Sequence, residues 1–377
     1  MKCSRRNQSI MLKNFCRVVG KDAMEYPDFE FWYYRFYQGE LHLDYDRSAD
    51  PEPKKLVDMP VVLMKEMVNN LDAVERARLR SMNHAIKEVA DSFPPVFEKL
   101  DIEVWDWSLS WKLNNLSFSC DKEESGCTLY RENISKFEES EECYIKKSLE
   151  YFTPLLTMPN IQVNHFSLRL HEESIETISC DDLLPVALNA KNVVIEGQTT
   201  NQVVKFLSTM NPGSLESIRL NILCSGEMEN YGTILETEQF KQAKNVDFDT
   251  TMKFNVEDLV HFNHLKTFKF HLIGENTFEV VPRIRDIIST SENFESCEMK
   301  YYAVRDGFSI TKFAQALGAV IPIGPLAENE NLTTTHRCQI PESNECLEFM
   351  LKYQYYSQCL VNIVKTTTAH PTSRLMA

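Results

Sequence analysis

Two histidines three residues apart, His261 and His264, are the residues of the 377-residue chain that come nearest to metal chemistry. On a helix they would share a face and offer two imidazoles to a cation. No third ligand stands at a metal-binding distance along the chain, and Phe262 and Leu265 flank the pair, so both read as structural histidines. The eleven cysteines include no CxxC pair, and Cys120 with Cys127, or Cys338 with Cys346, lack zinc spacing. The GxxxxGK[ST] and GxGxxG loops that cradle phosphates are absent, as is the GxSxG nucleophile elbow. Acidic side chains abound without a pair that stands apart from a solvated surface. The sequence therefore assigns no catalytic residue, no metal ligand and no cofactor, and the expected protein is not an enzyme.

What the sequence does concentrate is contact chemistry. In "YPDFEFWYYRFYQGELHLDYDRS" (26–48) the run from Phe31 to Tyr37 is aromatic at every position but Arg35. Phe29, Trp32, Tyr33 and Phe36 fall at i, i+3, i+4 and i+7, one face of a helix turned to a core. Pro27 suits the first helical turn, Asp28 and Glu30 favour the positive end of the helix dipole, and Gly39 can end the helix. Tyr34, Arg35 and Tyr37 lie on the outer sides, as a contact surface or as packing against the next helices of the chain. Upstream, "SIMLKNFCRVVG" predicts a second short helix, capped by Ser9, stopped by Gly20 and striped by Leu12, Phe15, Cys16 and Val19. Two short helices with a turn between them make a helix-turn-helix module over 1–48, and large aromatic side chains would supply most of so small a core.

The elements behind it change character twice. Residues 49–55 lie in a charged stretch with two prolines and read as a linker. "LVDMPVVLMKEMVNNLDAVERARLRSMNHAIKEVADSF" (56–93) then predicts two amphipathic helices, one capped by Asp58 and started at Pro60, the other started at Asp72 with a stripe of Leu79, Met82, Ile86 and Val89. A pair this small cannot close a core alone, so it packs on the next domain or buries its spare face in a partner. From 94 to 322 short β-rich runs recur: "FSLRL", "NVVIE", "LESIRL", "NVDF", "LKTFKFHL" and "FESCEMKYY", starting roughly 20–30 residues apart, a leucine-rich-repeat spacing. "EVWDWSLSW" and "LSFSC" supply earlier strands. Helical stretches alternate with them: "DDLLPVALNA", "TNQVVKFLSTM", "ETEQFKQA", "VEDLVHFN" and "VVPRIRDIISTS". The expected fold class is α/β: small helical modules followed by a leucine-rich-repeat-like α/β solenoid with a parallel sheet, an ordinary α/β domain being the alternative. Residues 323–377 read as a C-terminal extension, polar over 324–344 and disordered in the tail "TTTAHPTSRLMA".

Composition limits the function. The net charge of −15 argues against the bulk of the chain coating nucleic acid. Residues 1–21 differ, with six Lys/Arg and no Asp or Glu; that segment is either a basic contact for DNA or an acidic partner, or an exposed helix with a wet cationic side. "EESEEC" (138–143) reads as a solvated loop or helix face. No run approaches the ~18–20 apolar residues of a membrane span, and no apolar stretch of a secretory signal follows the N-terminus, so an intracellular place, cytoplasm or nucleus, with reduced thiols is expected.

Three pieces carry resemblances. "FEFWYYRFYQGELHLDYDRSADPEP" resembles the N-terminal helix-turn-helix of mariner-type transposases, which implies DNA contact by Tyr34, Arg35 and Tyr37. Residues 56–93 resemble an F-box: Met59-Pro60 stands at the opening Leu-Pro, Leu63, Met64, Glu66, Met67, Val68 and Leu71 match the first-helix pattern, and Asp72 matches the Asp between helices. Arg78-Leu79-Arg80, Met82 and Ile86 match the Leu-Arg-x-Val-x-x-x-Trp region. The sequence departs from the family at Met59 for Leu, Asn83 for Cys or Ser and Ile86 for Trp. The resemblance implies that Met59, Pro60, Leu63, Met64, Met67, Val68, Leu71, Leu79 and Met82 hold a Skp-family adaptor, and through it a cullin ubiquitin ligase. "GSLESIRL", "ETEQFKQAKNVDF", "EDLVHFNHLKTFKFHL" and "RIRDIISTSENFESCEMKY" resemble the FTH domain of a large nematode F-box group, which has this order of helix-turn-helix, F-box and FTH. The FTH region is expected to hold a protein substrate. The rival expectation is a DNA-associated regulator acting through residues 1–48.

Overall fold

The computed structural model describes residues 11, 15–20, 24–45, 58–93, 95–132, 134–171, 183–184, 187–223, 231–249, 252–274, 276–303, 310–319, 333–354 and 358–367. They fall in two compact units, Met1–Met59 and Pro60–Ala377. The linker at 49–55, Ser9 and Leu12 lie outside the described residues.

In the first unit, residues 15–19 are helical and stop at Gly20, whose φ of +135° is open to glycine alone without strain. Helix α1 (Tyr26–Tyr37) comes next, with Pro27 in its first turn and Gly39 at φ +86° just past its end. The expected aromatic core is not sealed. Phe29, Trp32 and Tyr33 are half-buried, Phe36 is 42% exposed, and no described residue of this unit is fully buried. Short helices enclose too little volume for that. The rings instead stack along the helix, Phe29 on Tyr33 at 6.1 Å, Tyr33 on Tyr37 at 6.2 Å and Trp32 on Phe36 at 5.7 Å, while Phe15 reaches Phe29 at 6.4 Å.

The second unit opens with three helices where two were expected: α2 (Val61–Asn69), α3 (Ala73–Met82) and α4 (His84–Asp91). Pro60, not Asp58, sits at the N-cap of α2. Asp72 starts α3 with a full capping box, its carboxylate accepting from Glu75 N–H at 2.8 Å while Glu75 reaches back to Asp72 N–H at 3.1 Å. The third helix arises at Asn83, whose extended backbone (φ −159°, ψ 148°) breaks the run and whose side chain caps Ala85 N–H. This break takes Met82 off the stripe of Ile86 and Val89 and leaves it 71% exposed.

One sheet then organises the chain. The strands are β1 (Val96–Val104), β2 (Ser108–Leu113), β3 (Leu116–Glu123), β4 (Gly126–Arg131), β5 (Ile134–Ser140), β6 (Gln162–Leu170), β7 (Asn189–Gly197), β8 (Ser217–Ile222), β9 (Asn245–Phe248), β10 (Lys253–Phe254), β11 (Thr267–Gly274), β12 (Ser296–Ala303), β13 (Thr333–Gln339), β14 (Glu345–Gln354) and β15 (Gln358–Thr367). Their order is β13-β14-β15-β12-β11-β9-β8-β7-β6-β1-β2-β3-β4-β5, with β10 beside β11. The central strands β1, β6, β7, β8, β9, β11 and β12 are parallel and neighbour one another in chain order. Cα partners advance by 27 residues from Gln162 to Asn189, 25 from Asn192 to Ser217, 28 from Ser217 to Asn245, 22 from Asn245 to Thr267 and 29 from Thr267 to Ser296. Antiparallel meanders finish both ends, β2–β5 on β1 and β13–β15 on β12. The second meander comes from the stretch read as a partly disordered C-terminal extension.

Helices stand between the strands: α5 (Tyr144–Leu156) after β5, α6 (Thr200–Leu207), α7 (Gly232–Leu235), α8 (Glu238–Gln242) and α9 (Thr277–Ser289) between parallel strands, and α10 (Ile310–Ala316) between β12 and β13. The "VEDLVHFN" stretch is a 3-10 helix over Val256–Phe262, and Asn189 and Ala190 of "DDLLPVALNA" enter β7 instead of a helix. Glu138 to Ser140 of "EESEEC" belong to β5. β7 and β8 alternate, so that Val193 and Ile195, or Ile218, Leu220 and Ile222, are buried with Val203, Phe206 and Leu207 of α6 in one core. Phe262 stands at its centre, its ring 5.3–5.8 Å from those of Phe240, Phe248, Phe254, Phe268 and Phe270. The opposite face, with Arg169, Glu196, Arg219 and Asp247, is only partly covered.

Candidate functional site

The helical module α2–α4 has a small interior of its own. Met64, Val68, Leu79, Ile86, Val89 and Ala90 are buried, and all lie apart from the main core of the sheet. Val74 and Ala77 pack against that main core. Arg76 ties the ends of the module together, donating to Phe93 O at 3.1 Å and Leu71 O at 3.3 Å, with desolvation pulling its guanidinium pKa down. Arg80 pairs with Asp91 at 2.5 Å across α3 and α4.

The nine residues that the F-box resemblance singles out divide accordingly. Met64, Val68 and Leu79 are sealed inside, where they hold the helices together. Met59, Met67 and Leu71 are half-buried. Pro60, Leu63 and Met82 are exposed, Leu63 at 51%. Sequence reasoning passed over Val61 and Val62, which are 56% and 72% exposed. They complete an apolar first turn of α2, a place where a solvated helix carries acids or hydroxyls. The signal was present as four apolar residues in succession after Pro60, more than one buried face of a helix can use.

In the first unit Tyr34 and Tyr37 are 44% and 64% exposed. Arg35 is not an open outer contact. Its guanidinium pairs with Glu40 at 2.8 Å and lies over the Tyr45 ring at 3.8 Å, leaving the side chain 16% exposed. Among the histidines, His264 bonds Phe240 O through Nε2 at 2.9 Å and packs edge-on against the Phe240 ring, while His261 is exposed. Among the described residues no group of three or more His, Cys, Asp and Glu could hold a metal. The Cys120 and Cys297 thiols are buried, and desolvation pushes the pKa of both up, away from the reactive thiolate.

The accessible sheet face carries a ladder of charge. Arg169 bonds Glu103 on β1 and approaches Glu196 on β7 at 3.6 Å. Arg219 pairs with Asp247 at 2.7 Å, and Lys269 with Glu298 at 2.7 Å. Beside Glu103 and Arg169, past the ends of β1 and β6, Trp105 stacks on His171 with ring centroids 3.5 Å apart and on Trp107 at 5.2 Å. The sequence "EVWDWSLSW" predicts the strand but not this cluster, because His171 arrives 66 residues after Trp105.

The fold is a mixed α/β scaffold built on one large sheet, and among the described residues no helix is long and apolar enough to cross a membrane. Comparison with known proteins is more specific. Residues 181–318 match the FTH domain, and residues 6–40 match the HTH domain in Mos1 transposase. F-box A protein 224 of Caenorhabditis elegans is 27% identical over 316 residues, covering 80% of both chains. F-box A protein 155 of the same organism is 22% identical over 319 residues, covering 79% of this chain and 75% of its own. No solved structure matches the chain. The resemblance read from the sequence holds: a Mos1-type helix-turn-helix segment and an FTH domain stand in one chain that is related to nematode F-box A proteins.

Proposed function

We propose that the chain is a substrate-recognition adaptor of a Skp/cullin-type ubiquitin ligase. Residues 56–93 are its F-box and hold the Skp-family adaptor; residues 94–322 are a leucine-rich-repeat-like solenoid whose accessible sheet face holds a protein substrate. One observation carries the reading: α2–α4 bury their own interior yet keep Val61, Val62 and Leu63 in water at the first turn of α2. A partner that covers this turn removes an exposed apolar surface that the module has no internal reason to keep. The naming of the relatives as F-box A proteins points the same way. For the sheet, support comes from parallel strands that succeed one another in chain order at 22–29 residue intervals, the arrangement of a stack in which each unit buries its inner side on the next.

The work of such an adaptor is geometric and non-catalytic. It raises the effective concentration of a substrate lysine near the ubiquitin-charged enzyme, as tethering does in general. Its place is the cytoplasm or the nucleus. The test is copurification of the tagged full chain with a Skp-family adaptor, beside a chain lacking 56–93. Adaptor with the first and none with the second supports the proposal; none with either refutes it.

A second reading, a DNA-associated regulator, is favoured by the match of residues 6–40 to a transposase HTH domain and by exposed Tyr34 and Tyr37. It requires duplex binding that weakens steeply as salt rises. Absence of binding at about 50 mM salt removes it.

A further inference from the structure

We propose that β13, the bare edge of the sheet, pairs antiparallel with β13 of a second copy of this chain about a twofold axis at His336, so that two sheets join into one. Such a dimer stands apart from the proposed adaptor role, since the α2–α4 module packs through α3 on α5, over β2, β3 and β4 towards the other edge.

The two edges of the sheet are built differently. β5 is blunted: its pairing with β4 shifts register between Leu129 and Arg131, and it carries Glu138 and Glu139. Irregular register and charge of this kind keep an edge from recruiting another strand. β13 has neither defence. Its register with β14 runs unbroken over Thr333–Gln339, and "TTTHRCQ" holds no proline, no lysine and no acid. Among the described residues no strand pairs with its outer side.

The outward backbone groups of β13 follow from its hairpin. Ile340 N–H donates to Glu345 O at 3.0 Å, one step beyond Gln339 opposite Cys346. In an antiparallel ladder the backbone groups turn alternately towards the partner and away from it. Cys338, His336 and Thr334 therefore direct N–H and C=O to β14, while Thr335, Arg337 and Gln339 direct theirs away. An antiparallel copy centred on His336 sets Thr335 opposite the other copy's Arg337, so outward groups meet outward groups. Each of the two Thr335–Arg337 pairs can then exchange both N–H···O bonds.

This centre is the middle of the strand, so it uses the full length of both edges. A slip of one residue to Arg337 would oppose two guanidinium groups, which is unfavourable. At the His336 centre Arg337 meets a threonine and keeps Glu348 of its own sheet at 3.3 Å. On the helix-covered side His336 and Cys338 are half-buried, and Cys338 packs against the rim of the main core. A second strand covers both. The two remaining edges of the dimer are the blunted β5 strands, so association closes at two copies. A pair of seven-residue strands is a small contact, below the ~1,200 Å² of a standard interface, and the dimer is expected to dissociate on dilution.

Sedimentation equilibrium of the full chain from about 5 to 200 µM reads the mass. It is expected to climb with concentration from 43.8 kDa towards twice that value. Thr335→Pro removes an N–H that the ladder to β14 does not use, and Thr335→Lys sets a cation opposite Arg337. Both variants are expected to stay at 43.8 kDa and to keep the thermal midpoint of wild type. Cross-linking reads the register. At the axis the two His336 Cα atoms would stand about 4.5 Å apart, within disulfide reach. His336→Cys, oxidised with copper phenanthroline, is expected to give a covalent dimer on a non-reducing gel severalfold faster than Thr333→Cys, although Thr333 is the more exposed of the two. A mass of 43.8 kDa at every concentration, association that persists in Thr335→Lys, or equal cross-linking of the two cysteine variants overturns the proposal.

Discussion

Replacing His271 by leucine should flatten the acid side of the stability curve. His271 lies in the middle of β11, between Lys253 on β10 and Lys300 on β12, and is 0% exposed. Its pKa is pulled down to about 4, first by desolvation and then by the charges of Lys300 and Lys269, with Asp249 and Glu298 pulling the other way. The ordinary value is 6.5. Above pH 6.5 the imidazole is neutral in the folded and unfolded states alike and adds no pH dependence. As pH falls from 6.5 towards 4, the unfolded chain takes up a proton that the folded chain refuses, so stability declines by up to about 1.4 kcal/mol per pH unit. The full loss at pH 4 is about 3 kcal/mol, a large share of the 5–15 kcal/mol typical of folded proteins. Below pH 4 both states are protonated and the decline from this group ends. Urea titrations at pH 7.5, 5.5 and 4.5 measure the effect. Carboxylates also contribute to acid unfolding, so the readout is the difference between wild type and His271→Leu, with His271→Gln as a polar variant that does not titrate. The gap between the curves should change by about 1 kcal/mol between pH 7.5 and 5.5, and by about 2–3 kcal/mol by pH 4.5. Parallel curves over that range would refute the reasoning.

Phe262→Ala should cost about 3–5 kcal/mol, because it empties the centre of five ring contacts; the urea midpoint reads it. Asp72→Ala removes one half of the α3 capping box and should cost about 1 kcal/mol, while Asp72→Asn keeps most of that loss back. Lys147 is nearly buried between Glu138 at 2.8 Å and Glu150 at 3.1 Å, and Tyr151 donates its hydroxyl to the same Glu138 carboxylate. Those bonds, from Lys147 first, hold the Glu138 pKa below the usual carboxylate value. Glu138 is partly exposed, so solvent screens the pair, and Glu138→Gln should lower stability by about 1 kcal/mol at neutral pH, with the difference from wild type shrinking as acid protonates Glu138.

Legibility tracked the range of the interactions. Strands with a clear β-branched or aromatic alternation, such as Asn245–Phe248 and Ser217–Ile222, stand close to where the sequence puts them, because period two and local propensity agree. The Asp72 cap was readable from residues three apart. Asn83 was not read as a break, because a polar residue inside an amphipathic pattern leaves the period intact; only its extended backbone divides α3 from α4. Arg35 looked free because its partners, Glu40 and Tyr45, lie beyond the helix that carries it. The strand β13 was hidden by its polar composition, TTTHRCQ, at the antiparallel edge of the sheet, whereas the alternation in β14 and β15, with Leu347, Phe349, Leu351, Val361 and Ile363 buried, was present in the sequence and passed over. For the candidate site, the F-box-like order of residues marked out α2 and α3. It could not say which of its apolar residues face inward, since Leu63 and Met64 are adjacent in sequence and differ only in the side of α2 they occupy.

The central claim, that the exposed first turn of α2 docks a ligase adaptor, is tested most directly by titrating a purified Skp-family adaptor with the full chain and with a Val62→Asp, Leu63→Asp variant. Losing central anchors of an interface costs about 2–4 kcal/mol, so affinity should fall about 30-fold or more while the urea midpoint stays near that of wild type. Undiminished affinity in the variant, with wild-type binding in hand, would contradict the account.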